Sequence, residues 1–138
     1  MSHRNSILTQ LSLGALLAAG LLLHSAPAAL AAADVISKHD KDSDKTLDLA
    51  EVKAAASAQF DKLNKDSDDT LDAREVKGVI GKKEFKAGDP DNDGTLTKDE
   101  YLAIVEQLFN KADVDHEGTL DAKELRSKAG RALQRLID

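Results

Sequence analysis

A twelve-residue pattern that occurs four times strongly limits how this 138-residue chain can fold. Each copy has a Thr-Leu pair at positions 7 and 8 and a glutamate at position 12, and the repeat length is 24 or 25 residues. One such match in an acidic chain could be accidental, but four in the same register indicate a repeat protein. The copies, called loops one to four, are residues 40–51, 64–75, 89–100 and 113–124.

Loop three is the most complete copy, and its oxygen-bearing side chains can meet at one point. Asp89, Asp91 and Asp93 stand at positions 1, 3 and 5, so they point to the same side of a tight loop. Gly94 at position 6 adopts a positive φ freely. Glu100, on the first turn of the next helix, can add two more oxygens. Because calcium needs about six to eight oxygen ligands, this spacing predicts a calcium loop.

On these motifs the chain resembles the EF-hand, or calmodulin-like, family over essentially all of residues 34–138. It is most similar to secreted bacterial proteins with closely spaced EF-hand repeats. The resemblance implies up to four bound Ca²⁺ ions, with Mg²⁺ as a possible competitor, and an oxygen reaching the ion through water from position 9. It also implies side-chain ligands at positions 1, 3, 5 and 12 and a main-chain oxygen from the threonine at position 7. The implied ligands are Asp40, Asp42, Asp44, Thr46, Glu51, Asn64, Asp66, Asp68, Thr70, Glu75, Asp89, Asp91, Asp93, Thr95, Glu100, Asp113, Asp115, Glu117, Thr119 and Glu124.

Four substitutions in the loops depart from the family pattern. Position 6 is Lys45 in loop one and Asp69 in loop two, where a positive φ costs a residue with a side chain roughly 1 to 3 kcal/mol. Asn64 removes a charge from position 1 of loop two, and Glu117 lengthens position 5 of loop four. We therefore expect loop three to bind calcium most tightly, then loop four, and loops one and two more weakly.

The segments between the loops have the apolar period of helices, so the predicted fold is all-α, with helix-loop-helix repeats. Only 12 or 13 residues separate one loop from the next, which predicts that one helix is shared by two consecutive loops. Antiparallel packing of such helices would bring loop one to loop three and loop two to loop four. Residues 74–86 form the weakest segment, because two glycines interrupt it. The last helix is expected to run nearly to residue 138. Core positions four residues before each loop are predicted for Ile36, Phe60, Phe85 and Phe109.

The first 31 residues have the features of a secretory signal peptide. A short basic start precedes the nearly uninterrupted apolar run of residues 7–23, and small residues follow it, with cleavage expected near residues 31–33. The domain would then span residues 34–138 of an exported protein, either periplasmic or secreted, without a membrane segment after removal of the leader. An uncleaved membrane anchor is the alternative, since the run is near the lower length limit for a bilayer span. The chain has no cysteine, so no disulfide stabilises it.

Charge and residue chemistry narrow the possible functions. The net charge is −6, and all 25 acidic residues follow residue 33, which makes a nucleic-acid partner improbable on electrostatic grounds. His39 and His116 have no cysteine or placed serine beside them, so we expect a protein that is not an enzyme. The leading hypothesis is a calcium buffer or a calcium-stabilised module. The alternatives are a calcium sensor and an adhesion or docking module, similar to dockerins, for another exported protein. The absence of methionine beyond Met1 argues against a sensor that opens a methionine-rich groove.

Overall fold

The computed structural model describes residues 26–138, with side chains from residue 30 onward. Most of the predicted leader, residues 1–31, therefore lies outside the described part of the chain. Within that part, no helix combines the length and apolar composition needed to span a membrane. The elements in chain order are α1 (Ala26–His39), β1 (Leu47–Asp48), α2 (Leu49–Leu63), β2 (Thr70–Asp72), α3 (Lys82–Gly88), β3 (Thr95–Thr97), α4 (Lys98–Ala112), β4 (Thr119–Leu120), α5 (Ala122–Leu125) and α6 (Lys128–Ile137).

Helices α2 and α4 form the centre of the fold and run antiparallel. Two ion pairs between them are consistent with only this orientation: Lys53 Nζ lies 2.6 Å from Glu106, and Lys98 Nζ lies 2.6 Å from Asp61. Lys98 is the first residue of α4, whereas Asp61 lies in the last turn of α2. The prediction that one helix joins loop one to loop two, and another joins loop three to loop four, is confirmed.

Three of the helices that leave a loop begin with the same hydrogen-bonded box at positions 9 and 12. The side chain at position 9 accepts a hydrogen bond from the backbone N–H at position 12, and the glutamate at position 12 accepts one from the backbone N–H at position 9. This pattern satisfies N–H groups that the first helical turn leaves without partners. The three boxes are Asp48 with Glu51, Thr97 with Glu100, and Asp121 with Glu124.

The core fills the space between α2, α4 and α6 and reaches α1. Phe60 and Phe109 are each 2% exposed, which confirms their predicted core positions, whereas Phe85 is only partly buried. The rings of Phe60 and Tyr101 meet edge to face, with 5.6 Å between centroids. Each such buried side chain contributes roughly 1.5 to 3 kcal/mol through burial alone. Lys38 pairs with Asp138 and joins the end of α1 to the C-terminus.

Two short antiparallel sheets connect the loops, and they show that the predicted loop pairing was wrong. Strand β1 of loop one pairs with β4 of loop four, and β2 of loop two pairs with β3 of loop three. The expected pairing required a full-length helix between loops two and three, which would carry loop three to the opposite end. Without that helix, loop three stays beside loop two, and antiparallel α4 returns loop four to loop one.

The connection between loops two and three is bent, as the two glycines in it indicated. Residues 75–79 form turns, in which the N–H groups of Val79 and Ile80 bond to the Val76 carbonyl at 2.9 and 3.1 Å. Gly78 has a φ of 87°, which a residue with a side chain adopts only with strain. Helix α3 then has only seven residues. A single shared helix is therefore absent at this connection.

The C-terminal segment is two helices rather than the single helix that was expected. Helix α5 ends at Leu125, and Ser127 starts α6 by accepting a hydrogen bond from the Gly130 N–H at 2.9 Å. Leu125 and Leu133 are both fully buried, so the predicted apolar positions are correct although the helix is interrupted. The serine N-cap allows the chain to turn and to pack α6 against α2 and α4.

Candidate metal centre

All four loops have the same unusual backbone, with positive φ at positions 4 and 6. The expectation of a positive φ at position 6 is confirmed even where no glycine is present, at 71° for Lys45 and 68° for Asp69. The positive φ at position 4 was not predicted. The residues there are all polar, and asparagine and histidine adopt the left-handed backbone region more often than most residues. Position 4 is Ser43, Ser67, Asn92 and His116.

Three loops bring the carboxylates of positions 1, 3 and 12 together. In each of them, one oxygen from each of the three side chains lies within 4.8 Å of the other two. The groups are Asp40, Asp42 and Glu51 in loop one, Asp89, Asp91 and Glu100 in loop three, and Asp113, Asp115 and Glu124 in loop four.

Loop two differs because position 1 is an amide. Asn64 cannot complete a carboxylate group with Asp66 and Glu75. Its Oδ1 atom is nevertheless buried and has no hydrogen-bond partner within the described residues. In the other loops the position 1 carboxylate accepts a hydrogen bond from the backbone N–H at position 6, as between Gly94 N and Asp89 Oδ2 at 3.1 Å. Loop two therefore presents a free oxygen where the other loops present a partly bonded one.

The glutamate at position 12 is held by the loop that it closes. In loop one, Glu51 accepts the Lys41 N–H at 2.6 Å through Oε1 and the Asp48 N–H at 3.1 Å through Oε2. Glu75 and Glu124 are bonded in the same way, by the N–H groups of positions 2 and 9. These bonds orient the position 12 carboxylate toward the centre of its loop.

Loop three lacks one of these bonds for a covalent reason. Position 2 is Pro90, which has no N–H, so Glu100 accepts backbone hydrogen bonds through Oε2 alone, from Thr97 at 2.8 Å. The proline is visible in the sequence, but its effect on the opposite end of the loop requires the folded geometry. One Glu100 oxygen is thereby left without a competing backbone donor among the described residues.

The carboxylates at position 5 are turned toward the threonine at position 7. Asp93 Oδ1 accepts both the N–H of Thr95 at 2.8 Å and its hydroxyl at 2.7 Å. Asp44 and Asp68 bond to Thr46 and Thr70 in the same manner. These hydrogen bonds lower the pKa of Asp93 and hold its carboxylate ionised. In loop four, the predicted ligands Glu117 and Thr119 make no such pair within the described chain.

Several loop carboxylates are buried without a positive side chain beside them. Glu51, Asp89, Asp113 and Glu124 are only 6 to 8% exposed. Within the described residues, none of them lies within 4.0 Å of a lysine or arginine nitrogen. Oδ1 of Asp113 also lacks any hydrogen-bond partner in that part of the chain. Because an unpaired buried charge is costly, this arrangement favours a cation beside the buried carboxylates of loops one, three and four.

The pKa values at position 3 reflect the crowding of negative charge. A hydrogen bond from the Asp44 N–H lowers the pKa of Asp42, but desolvation and the neighbouring carboxylates raise it above its usual value overall. Asp91 behaves in the same way beside Asp89 and Asp93. A divalent cation would remove this repulsion, since an opposite charge nearby favours the ionised form.

The donor set is that of a hard cation. Carboxylate, amide and main-chain oxygens suit calcium or magnesium, whereas zinc prefers histidine and thiolate ligands. The chain has no cysteine, and neither His39 nor His116 joins any cluster of metal-binding side chains in the described residues. When bound, a calcium ion would supply positive charge and hold each loop to the helix that follows it.

Comparison with known families agrees with this geometry. The EF hand family model matches residues 82–105 and 104–127, which contain loops three and four. A search of curated proteins found no match. Loops one and two fall outside the family match, and they are also the loops without glycine at position 6. The matched repeats and the converging carboxylates together support an EF-hand calcium-binding protein.

Proposed function

We propose that each of the four loops binds one Ca²⁺ ion and that the protein acts without catalysis, as a calcium buffer or a calcium-stabilised module. The observation that carries this proposal is the burial of Glu51, Asp89, Asp113 and Glu124 without basic partners in the described chain. An ion in each loop would compensate these charges. Loop two is included because it has the same backbone and a buried, unpartnered Asn64 oxygen.

Calcium would stabilise the fold by an amount that grows with the logarithm of its concentration once that concentration exceeds the dissociation constant. The gain at each site is about RT ln(1 + [L]/Kd). Extracellular EF-hand modules bind at about 10⁻⁴ to 10⁻³ M, so such sites are largely filled where calcium is near millimolar. Because short sheets join the loops in pairs, calcium bound in one loop would also stabilise the loop paired with it.

Native mass spectrometry across a calcium series would test the stoichiometry directly. We expect four successive calcium adducts, loop three filling first and loops one and two last. Removing the position 12 carboxylate of any one loop should remove one calcium adduct. The matched variants are Glu51→Gln, Glu75→Gln, Glu100→Gln and Glu124→Gln. A maximum of two adducts, unchanged by Glu51→Gln and Glu75→Gln, would limit the function to loops three and four.

Export is supported by the apolar run of residues 7–23 and by the small residues after it. The described structure favours one of the two cleavage positions. Ala32 is fully buried in the core together with Val35 and Ile36, so cleavage after residue 33 would remove a core residue, whereas cleavage after residue 31 would keep it. The mass of the secreted or periplasmic protein should therefore correspond to a start at Ala32. A full-length mass in the membrane fraction would instead indicate an uncleaved anchor.

A further inference from the structure

The bent connection between loop two and α3 contains an apolar pocket with a basic rim. The cavity measures about 520 Å³, and its walls include Val76, Ile80 and Phe85. Lys77 and Lys82 line the same cavity. The pocket contains none of the calcium ligands of the loops, so calcium binding alone does not account for it.

Local backbone structure gives the pocket its shape. On one side of the pocket, the Val79 and Ile80 N–H groups donate hydrogen bonds to the Val76 carbonyl and fix the turn. On the other side, the Phe85 N–H donates to the Gly81 carbonyl at 2.9 Å and fixes the start of α3. A side chain at Gly78 would meet no atom within 4 Å. The absence of a side chain at Gly78 therefore leaves this part of the pocket wall open, whereas the Glu84 carboxylate lies beside Gly81.

The surface around the pocket is positive, although the whole chain is negative. Residues 73–88 contain five basic and two acidic residues, a net charge of +3, in a chain of net charge −6. Lys77 and Lys82 are exposed, and neither forms an ion pair with a described carboxylate. Arg135 of α6 adds another cation nearby, because its Nε lies 3.4 Å from the Val79 carbonyl oxygen.

We propose that this pocket binds an acidic peptide segment of a partner protein through one bulky apolar side chain flanked by carboxylates. The apolar side chain enters between Val76, Ile80 and Phe85, and the carboxylates pair with Lys77 and Lys82. Charge complementarity selects the acidic flanks. The innermost apolar wall, Val76, is only 2% exposed, whereas Ile80 and Phe85 are partly buried. A flat lipid surface would meet Ile80 and Phe85 without reaching Val76, whereas an inserted side chain would reach it, which favours a peptide over a membrane.

Fluorescence anisotropy with a short labelled peptide tests this inference. The probe has glutamate and serine residues around one central phenylalanine, and the protein is saturated with calcium. We expect saturable binding that weakens with salt, as exposed ion pairs do. A peptide with alanine at the centre, and one with lysine in place of glutamate, should each bind at least about tenfold more weakly, since hydrophobic anchor and charge both contribute.

Two variants test the location. Lys77→Glu/Lys82→Glu reverses the charge of the pocket rim. Ala73→Trp fills the cavity from an exposed position on its wall. Each should weaken peptide binding by at least about tenfold. The matched control, Lys111→Glu/Lys128→Glu, makes the same change in net charge at exposed residues that do not line this pocket and should leave peptide binding within about twofold of the unchanged protein.

Calcium stoichiometry is measured on every variant, so that a failure of this inference is separate from a failure of calcium binding. The inference is overturned if no saturable binding occurs or if the alanine peptide binds equally well. Binding to phosphatidylglycerol vesicles that Ala73→Trp leaves unchanged would overturn it in favour of a lipid surface. Self-association of the peptide-free protein that Ala73→Trp abolishes would overturn it in favour of a second copy of this chain.

Discussion

Leu47 in the first loop lies directly opposite Leu120 in the fourth, and both side chains are fully buried. The same relationship holds between Leu71 and Leu96 in loops two and three. The loops farthest apart in sequence are thus joined through a strand pair and a shared apolar contact. Each leucine is at position 8, one residue after a predicted main-chain ligand, so we expect the ordering of one loop to be transmitted to its partner.

This pairing predicts which calcium sites are coupled. Glu124→Gln removes a ligand charge from loop four and should weaken calcium binding at loop one by about fivefold or more, a typical coupling between sites. Loop three, which shares α4 but no strand pair with loop four, should change less. Calcium titrations followed by the amide resonances of Lys45, Gly94 and Gly118 report the three loops separately.

Glu75→Gln is the matched control for this coupling, because loop two pairs with loop three. This variant should weaken the calcium binding reported by the Gly94 resonance and leave that reported by the Gly118 resonance unchanged. Equal weakening of all loops by either variant would show that coupling runs through the helices rather than through the strand pairs.

Lys45→Gly should tighten calcium binding at loop one. Lys45 has a φ of 71°, and glycine removes a strain of roughly 1 to 2 kcal/mol that accompanies this conformation. Since about 1.4 kcal/mol corresponds to a tenfold change, affinity should increase by about fivefold to thirtyfold. Calorimetric titration measures the change. Lys45→Ala separates strain from charge, because alanine removes the lysine charge but keeps a Cβ atom that is strained at positive φ. Equal tightening by Lys45→Ala would assign the effect mainly to the charge.

Tyr101→Phe should destabilise the protein by about 1 to 2 kcal/mol, because it leaves a buried carbonyl without its donor. The Tyr101 hydroxyl donates to the Leu136 carbonyl at 2.8 Å and joins α4 to the end of α6. Urea unfolding of both proteins at neutral pH measures the difference. An unchanged unfolding free energy would show that solvent replaces the hydrogen bond.

Burial raises the pKa of Tyr101 well above the ordinary value for a tyrosine. A group whose pKa is higher in the folded state contributes stability that is complete below the unfolded pKa and is lost as pH rises above it. The stability difference between the native protein and Tyr101→Phe should therefore narrow above about pH 10. Tyr101 is the only tyrosine, and the chain has no tryptophan, so phenolate absorbance reports its ionisation directly. Ionisation near pH 10 in a still folded protein would contradict the prediction.

Gly130→Ala should destabilise the protein although alanine favours helix. Alanine gains about 1 kcal/mol over glycine in a helix interior. A Cβ at residue 130, however, would overlap the backbone of Glu124 and Leu125 at the corner between α5 and α6. Such overpacking costs about 1 to 3 kcal/mol, and the backbone cannot move aside as a side chain can. Thermal unfolding should show a lower midpoint for Gly130→Ala.

Gly81→Ser is the control for this substitution. A Cβ at residue 81 would meet only the flexible carboxylate of Glu84, and serine is a good residue at the start of a helix such as α3. Its unfolding midpoint should therefore stay the same or rise slightly. A lower midpoint for Gly81→Ser as well would show that the Glu84 carboxylate cannot move aside.

The local chemistry of the loops follows from the sequence alone. Alternation of carboxylates and the glutamate at position 12 predicted the converging groups, as in Asp89, Asp91 and Glu100, because ligand spacing within twelve residues depends on local backbone geometry. The positive φ at position 6 was predicted for the same reason. The capping role of position 9 was also readable, since an aspartate or threonine three residues before a glutamate is a helix-start signal.

Which loops pair was decided only by the tertiary structure. The sequence gives a nearly constant spacing of 24 or 25 residues, which fits either arrangement. The choice depended on whether residues 75–88 form one helix, and the turn at Gly78 with the short α3 prevents that. Antiparallel packing of α2 and α4 then brought loop one to loop four and loop two to loop three. Long-range packing, which no local spacing encodes, therefore determined the neighbour of each calcium loop.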